Sequence, residues 1–550
     1  MTALLTDNLP LLAGAPNGIK KLRELILELA VRGKLVPQNP NDEPASELLK
    51  RIAAEKKGLS PKVKKSSDTP MGAVAFELPE SWCWASFGDI AQHNSGKTLD
   101  KGKNSGVPRN YITTSNLYWG RFDLASVRQM LFEEKDLARC TAIKNDLLIC
   151  EGGEAGRAAV WDQESEICFQ NHVHRARFFG EINPYYAQRY FERLNYSGEI
   201  AEYRKGVGIS NMSSKALASI PMPVPPLAEQ HRIVAKVDEL MALCDRLEAQ
   251  QADAESAHAQ LVQALLGSLT QATDAEDFAA SWQRLAEHFH TLFTTESSID
   301  ALKQTLLQLA VMGKLVPQDP SDEPANELLK KITEEKARLV TEGELKKQKP
   351  LEEVRDDEAL FELPSNWAWA RFGNVCAIKG ELVRPEDFPS LRQVAPDCIE
   401  KGTGRLTDNR TVKDSGVKGP NSRFFSGQIV YSKIRPSLSK AVLVDFDGLC
   451  SADMYPIDAF INPEFLLKEI LSEVFLEQVR VAENRIKMPK LNQESLTGFV
   501  LPIPPLPEQH RIVAKVDQLM ALCDQLKTRL TQARQLNEQL ATALVEQAVA

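Results

Sequence analysis

The chain repeats itself. Residues 19–59 align with 299–339 without a gap, and 25 of 41 positions are identical. Both copies carry GKLVPQ (Gly33–Gln38, Gly313–Gln318) and a DEPA-x-ELLK stretch (Asp42–Lys50, Asp322–Lys330). A second pair follows, FELPESWCWASFGDI at 76–90 and FELPSNWAWARFGNV at 361–375. The third pair, EQHRIVAKVDELMALCDRL at 229–247 and EQHRIVAKVDQLMALCDQL at 508–526, agrees in 17 of 19 positions. Between these blocks, 91–207 and 376–486 show no common register. Repeats set architecture before any local signal does. A plain duplication that drifted would not leave the frames so alike and the inserts so unlike. The pattern predicts a pseudo-twofold internal repeat whose two inserts do different jobs of the same kind.

With 550 residues the chain suits about three or four domains. The expected division is a helical repeat and linker at 1–75, an insert-bearing domain at 76–228, a helical spacer and linker at 229–360, a second such domain at 361–507, and a helix at 508–550. The third block reads as a long helix, expected from about 229 to 266. Ile233, Val237, Leu240, Cys244 and Leu247 are spaced 4, 3, 4, 3, and Ile512, Val516, Leu519, Cys523 and Leu526 repeat the pattern. This is a heptad seam. It continues through Gln251, Ala254 and His258, or Ala533 and Asn537, before apolar residues return.

A proline-rich strap, 220–230 or 501–509, precedes each long helix and reads as a rigid junction. Leu22, Leu25, Ile26, Leu29 and Ala30 give the first block a helical face, with Gly33 placed to end it. Charged helices are expected at 46–57 and 326–338, and exposed linkers at 60–75 and 340–358. The inserts mix strand-like runs (146–150, 173–179, 428–434, 440–446) with helical ones (184–194, 463–479). The fold class is α+β.

Net charge is −9, and its distribution is uneven. Residues 76–228 carry −1 and 361–507 carry zero, so the helical remainder holds −8. Within 401–440, nine basic residues face two acidic ones, a stretch able to track a phosphate backbone. Nine cysteines without a CxxC pair suggest reduced thiols in a cytoplasm rather than a metal or disulfide framework. No apolar run is long enough for a membrane span.

Catalytic signatures are missing. A methyltransferase of exocyclic amines would carry [ND]PP[FYW]; INPYY at 182–186 and INPEF at 461–465 do not match. AQHNSGKT at 91–98 starts with alanine where a phosphate-binding loop needs glycine. His172 and His174 would share a strand face, but no ordered ligand set accompanies them. The pairs Trp82/Trp84 and Trp367/Trp369 also share a face by alternation and read as core. Lys433, Arg435 and Tyr431 alternate in YSKIRPS and would form one DNA-facing row.

From about residue 19 to 530 the chain resembles the specificity subunits of type I restriction-modification systems. Three features carry the resemblance: LP-x-x-W-x-W-x-x-x-G at Leu78–Gly88 and Leu363–Gly373, the proline-rich exit at Ile220–Leu240 and Leu501–Leu519, and the long helix after each. It implies two mixed α/β target-recognition domains, each gripping half of a bipartite double-stranded DNA site, joined by long antiparallel coiled-coil helices. It implies two modification subunits docked on the helices and two restriction subunits beyond them. S-adenosylmethionine, ATP and Mg would bind in those partners, with no cofactor, metal or catalytic residue in this chain, and the setting would be a bacterial or archaeal cytoplasm. On this reading the DNA contacts are Lys97, Thr98, Lys101, Lys103, Arg109, His172 and His174 in the first insert. In the second they are Lys413, Lys418, Tyr431, Lys433, Arg435 and Lys440. The seam residues of both long helices would pack helices or partners. A self-contained DNA-modifying enzyme and a coiled-coil adaptor without a DNA role remain the other readings of the residues alone.

Overall fold

The computed structural model describes residues 11–58, 71–74, 76–98, 100, 102, 104–205, 210–483 and 489–549. The chain forms two compact units, Met1–Ala254 with Ala533–Ala550, and Glu255–Gln532. Each unit holds one insert on one copy of the repeated frame.

In the first unit, helix Gly18–Val31 buries Leu22, Leu25, Ile26, Leu29 and Ala30 as its periodicity predicts. Gly33 follows with φ 68°, and a Cβ there would lie 2.6 Å from Pro79 Cγ. Conformation and packing both demand glycine. Gly313 repeats this at φ 72° against Pro364, after helix Glu296–Val311. The charged helices run Ala45–Lys57 and Ala325–Thr341. Of the two expected linkers, 71–74 lies in the described chain with a few residues of the other's start inside a helix; most of 60–75 lies outside the described residues.

The straps are strands. Pro221–Val224 pairs antiparallel with Cys83–Ser86, and Val500–Ile503 with Ala368–Arg371. Proline is tolerated because each ribbon has only two strands, leaving an outer edge where no N–H is needed. The proline carbonyls are used: Tyr190 donates to Pro221 O at 2.5 Å and Tyr186 to Pro223 O at 2.9 Å.

Although the inserts share no sequence register, they share a fold. In the first, an antiparallel sheet runs Ala158–Val160, Leu147–Cys150, Val173–Phe178, Ala91–Ser95. In the second the same order is Ala441–Leu443, Ile429–Ser432, Met454–Ala459, Cys376–Ile378. A second sheet has the same central trio. Val107–Ile112 lies parallel to Ile167–Phe169, which is antiparallel to Thr141–Ala142. Arg392–Val394, Gly448–Ser451 and Asn421–Phe424 repeat that arrangement. Each insert then adds its own edge strand. Arg128–Phe132 joins Val107–Ile112 in the first, whereas Glu381–Val383 joins Asn421–Phe424, at the other edge, in the second.

The long helices run Leu227–Gln271 and Leu506–Val549. Each begins in one unit and ends in the other. Ile233, Val237 and Cys244 are buried in the first unit's core, with Leu240 and Leu247 packed against it. Ile512, Val516 and Cys523 are buried in the second unit, where Leu519 and Leu526 pack beside them. Seam residues are therefore not left open for another chain. The polar middle is different: residues 248–257 and 531–537 are exposed on every side. The unit boundaries at Ala254 and Gln532 fall within these stretches.

Candidate nucleic-acid interface

Each insert is fixed to its frame by the EQHR tetrapeptide, which opens onto all three repeated blocks. Glu229, 1% exposed, accepts from Trp82 Nε1 at 3.0 Å and from Gln38 Nε2 at 2.6 Å. Burial raises its pKa despite both bonds. Gln230 Oε1 accepts from Asn183 N at 2.9 Å, holding the N-cap of helix Pro184–Tyr196, while its Nε2 donates to Pro225 O. Asn183 Nδ2 meets His231 Nδ1 at 3.1 Å, and Arg232 pairs with Asp42 at 2.6 Å. The second copy repeats the joint: Glu508 with Trp367 and Gln318, Gln509 with Asn462, His510 with Asn462, Arg511 with Asp322. The acid, amide and imidazole all have structural partners, and the motif positions the inserts. The outer tryptophans pack instead at steep angles against phenylalanines, Trp84 against Phe76 and Trp369 against Phe361.

The frame thus presents two inserts whose surfaces differ. In the first, Lys97 is largely buried and ion-paired with Asp136, over the Phe132 ring; its ammonium holds the Asp136 carboxyl below its ordinary range. It is a structural cation here. Thr98 is exposed, and Lys101 and Lys103 lie outside the described residues. Arg109 is exposed on strand Val107–Ile112, 3.9 Å from Glu166.

The histidine pair does not share a face. His172 sits exposed in the turn before strand Val173–Phe178, and His174 is buried within it, bonded through Nε2 to Met212 O at 2.9 Å. Burial lowers the pKa of His174 and takes that of neighbouring His93 to about 4. Both are neutral core imidazoles at pH 7. No group of three or more metal-ligating side chains occurs among the described residues.

In the second insert the basic stretch separates into engaged and free cations. Arg405 pairs with Asp524, Arg410 with Asp397, and Arg423 lies against the Phe388 and Phe425 rings. Lys440 donates to Pro396 O at 2.5 Å. Lys433 donates to Ala452 O at 2.6 Å and lies over the Tyr455 ring. Lys401, Lys413, Lys418 and Arg435 are exposed.

The expected row of Tyr431, Lys433 and Arg435 does not form. The strand ends at Ser432, and Arg435 takes a left-handed φ of 46° before Pro436, where a short 3-10 turn starts. Alternation stops where the strand stops. Tyr431 is 1% exposed, packed on Phe475, and burial raises its pKa strongly. It belongs to the core.

Sequence reading missed the ribbon of Val107–Ile112 and Arg128–Phe132 in the first insert. Its outer positions Pro108, Arg109, Asn110, Arg128, Gln129 and Leu131 are all exposed. The available signal was slight, a few strand-forming residues broken by polar ones. Beside the ribbon, Arg109, Asn110, Gln129, Thr141 and Glu166 line a concavity of about 320 Å³.

The family model described as the type I restriction modification DNA specificity domain matches this chain twice, at 79–255 and 364–534. Two Escherichia coli proteins, the specificity subunits of the type I restriction enzymes EcoAI and EcoEI, are each 37% identical to it, over 97% of this chain and 94% of theirs. A chain from a solved type I restriction-modification system has a similar fold, with TM-score 0.50 and 15% identity over 86% of this chain and 99% of that one. The doubled domain and the nearly full-length relatives establish that the chain belongs to the family of type I restriction-modification DNA specificity subunits, which are recognition proteins rather than enzymes.

Proposed function

We propose that this chain reads a bipartite, asymmetric sequence in double-stranded DNA, one half-site through each insert. The recognition domains are 76–228 and 361–507; 1–75, 229–360 and 508–550 supply the helical frame. The observation that carries this reading is the pairing of two inserts with the same strand order and different edge strands, each held by the same EQHR joint. One frame used twice with two different surfaces suits two readers of two sequences. The free cations Lys413, Lys418 and Arg435, with Arg109 and exposed Thr98, supply phosphate or base contacts. Lys101 and Lys103 belong to the same set.

Two modification subunits dock on the helices, and two restriction subunits complete the nuclease. S-adenosylmethionine, ATP and Mg bind in those partners. The complex works in a bacterial or archaeal cytoplasm; no described helix is long and apolar enough to cross a membrane. Docking is supported by apolar side chains left in the open on helices, including Trp282 and Leu522 in the second unit and Leu536 in the first, each at least 40% exposed.

Mapping methylated adenines in DNA from cells carrying the complete system tests the reading. The expected motif has two unlike halves separated by one fixed gap. A continuous or palindromic motif would contradict it.

A further inference from the structure

The two inserts share seven strands in chain order and pairing, so their difference in strand architecture lies outside that common set. The strand Arg128–Phe132 is present only in the first insert. In the second, the equivalent edge strand Arg392–Val394 has only a single bridge to Thr411 on that side. The extra strand makes Val107–Ile112 into a two-stranded ribbon with Tyr111, Met130 and Phe132 packed into a core on one face and Pro108, Asn110, Gln129 and Leu131 exposed on the other. Tyr111, Ile112, Met130 and Phe132 are buried. The remaining positions are open: Val107 is 60% exposed and Leu131 37%. Gly106 fixes its start, since a Cβ there would lie 2.0 Å from Phe132 O.

Cross-strand register places Asn110 opposite Gln129 and Pro108 opposite Leu131, all on one face. Gln129 Nε2 donates to Asn110 Oδ1 at 3.2 Å. That bond leaves Asn110 Nδ2 as a donor and Gln129 Oε1 as an acceptor, side by side and exposed. A donor beside an acceptor matches the major-groove edge of adenine, whose N7 accepts and whose N6 donates. The exposed Leu131 on the same face offers an apolar contact of the kind a thymine methyl makes. Residues 104–132 contain Arg109, Arg121 and Arg128 against the single acid Asp123, which favours approach of a polyanion. The major groove admits a two-stranded β-ribbon.

We propose that this ribbon enters the major groove of the half-site read by the first insert, with Asn110 and Gln129 together reading one adenine. This rests on the DNA-reading role proposed above for the two inserts.

The test uses the full chain assembled with its methyltransferase partners. Binding is measured on duplexes in which each base pair of both half-sites is changed in turn, and on a scrambled duplex. Asn110→Ala and Gln129→Ala should each reduce discrimination at the same A·T pair of one half-site by about tenfold or more. The other half-site and the scrambled duplex should be unaffected. Gln129→Glu removes the N–H that donates to Asn110 Oδ1 and so unpairs the two side chains; it should likewise weaken discrimination at that same pair. Both side chains are exposed, and unchanged melting temperatures confirm that the variants fold. Parent-like discrimination by both alanine variants at every position overturns the ribbon alone, as does equal loss on all duplexes, scrambled included. A parent complex that selects no bipartite site overturns the reading of the whole chain and the ribbon with it.

Discussion

Glu469 sits at the centre of the second recognition domain, 1% exposed, and neither carboxyl oxygen has a hydrogen-bond partner. Its titratable neighbour is the buried thiol of Cys376. Burial raises the carboxyl well above its ordinary value of 4.5, so the folded chain keeps a proton that the unfolded chain releases above that pH. Stability from this group is present below about pH 4.5 and is lost as pH rises toward the folded value. Glu469→Gln removes the dependence. The variant should exceed the parent at pH 8 and match it near pH 4, where both bury a neutral polar group. Denaturation midpoints across that range check this; parallel pH profiles would contradict it. A second residue-scale expectation separates free cations from engaged ones. In the assembled complex, Lys418→Ala should lower the slope of log binding against log salt by about one phosphate contact. Lys97→Ala should leave the slope unchanged, because Asp136 already holds that ammonium. A reduced slope for Lys97→Ala would place it on DNA after all. Sequence alone does not distinguish these lysines, since a cation's partner is set by tertiary neighbours. Tyr431, Lys433 and Arg435 show the same limit: alternation depends on the strand continuing, and Pro436 and the left-handed Arg435 turn the chain first.

Among elements, those written twice were legible. Two copies of one pattern average out local accidents: helices Ala45–Lys57 and Ala325–Thr341 follow the expected bounds to within a few residues, and helix Gly18–Val31 ends just before Gly33. The long helix runs past its expected end at 266 to Gln271. Pro463–Leu471 and Glu473–Ala482 divide what read as one helix. Ser472, whose side chain accepts from Phe475 N, caps the second of them. The straps read as junctions because prolines disfavour strands in general; their partners, 129 or more residues away in the chain, decide otherwise. The EQHR joint is the element that holds strap, helix and insert together, and its buried acid is the part to remove. Glu229→Ala strands the buried indole N–H of Trp82, while exposed Gln38 keeps its bond to Gly33 O. It should destabilise the first unit by about 2–5 kcal/mol, whereas Trp82→Phe, which removes a donor but keeps most of the ring, should cost about 1–2 kcal/mol. Arg232→Ala breaks a partly exposed pair with Asp42 and should cost less than about 1 kcal/mol. Denaturant titration of the three variants ranks them; equal effects would show that Glu229 is not the keystone of the joint.

At the scale of the molecule, the repeated blocks predict the frame, and the unlike inserts predict two different surfaces. What the inserts share was hidden. Their common strands pair partly over long sequence distances, as Phe178 with Ala91 and Ala459 with Cys376, and such pairing needs only apolar residues at alternate positions, which many unrelated sequences supply. Of the heptad seams, Ile233, Val237, Cys244, Ile512, Val516 and Cys523 are buried near the helix starts, whereas the polar stretches at 248–257 and 531–537, where each helix passes from one unit into the other, are exposed. A frame that fixes each insert independently through Glu229 or Glu508 makes the inserts separable. The direct measurement is to replace 91–207 with the corresponding segment of another family member, keep every repeated block, and map the methylated sequence made by the assembled complex. The account predicts that one half-site changes while the other half-site and the gap stay as they were. A change in both halves, in neither, or in the gap would contradict it.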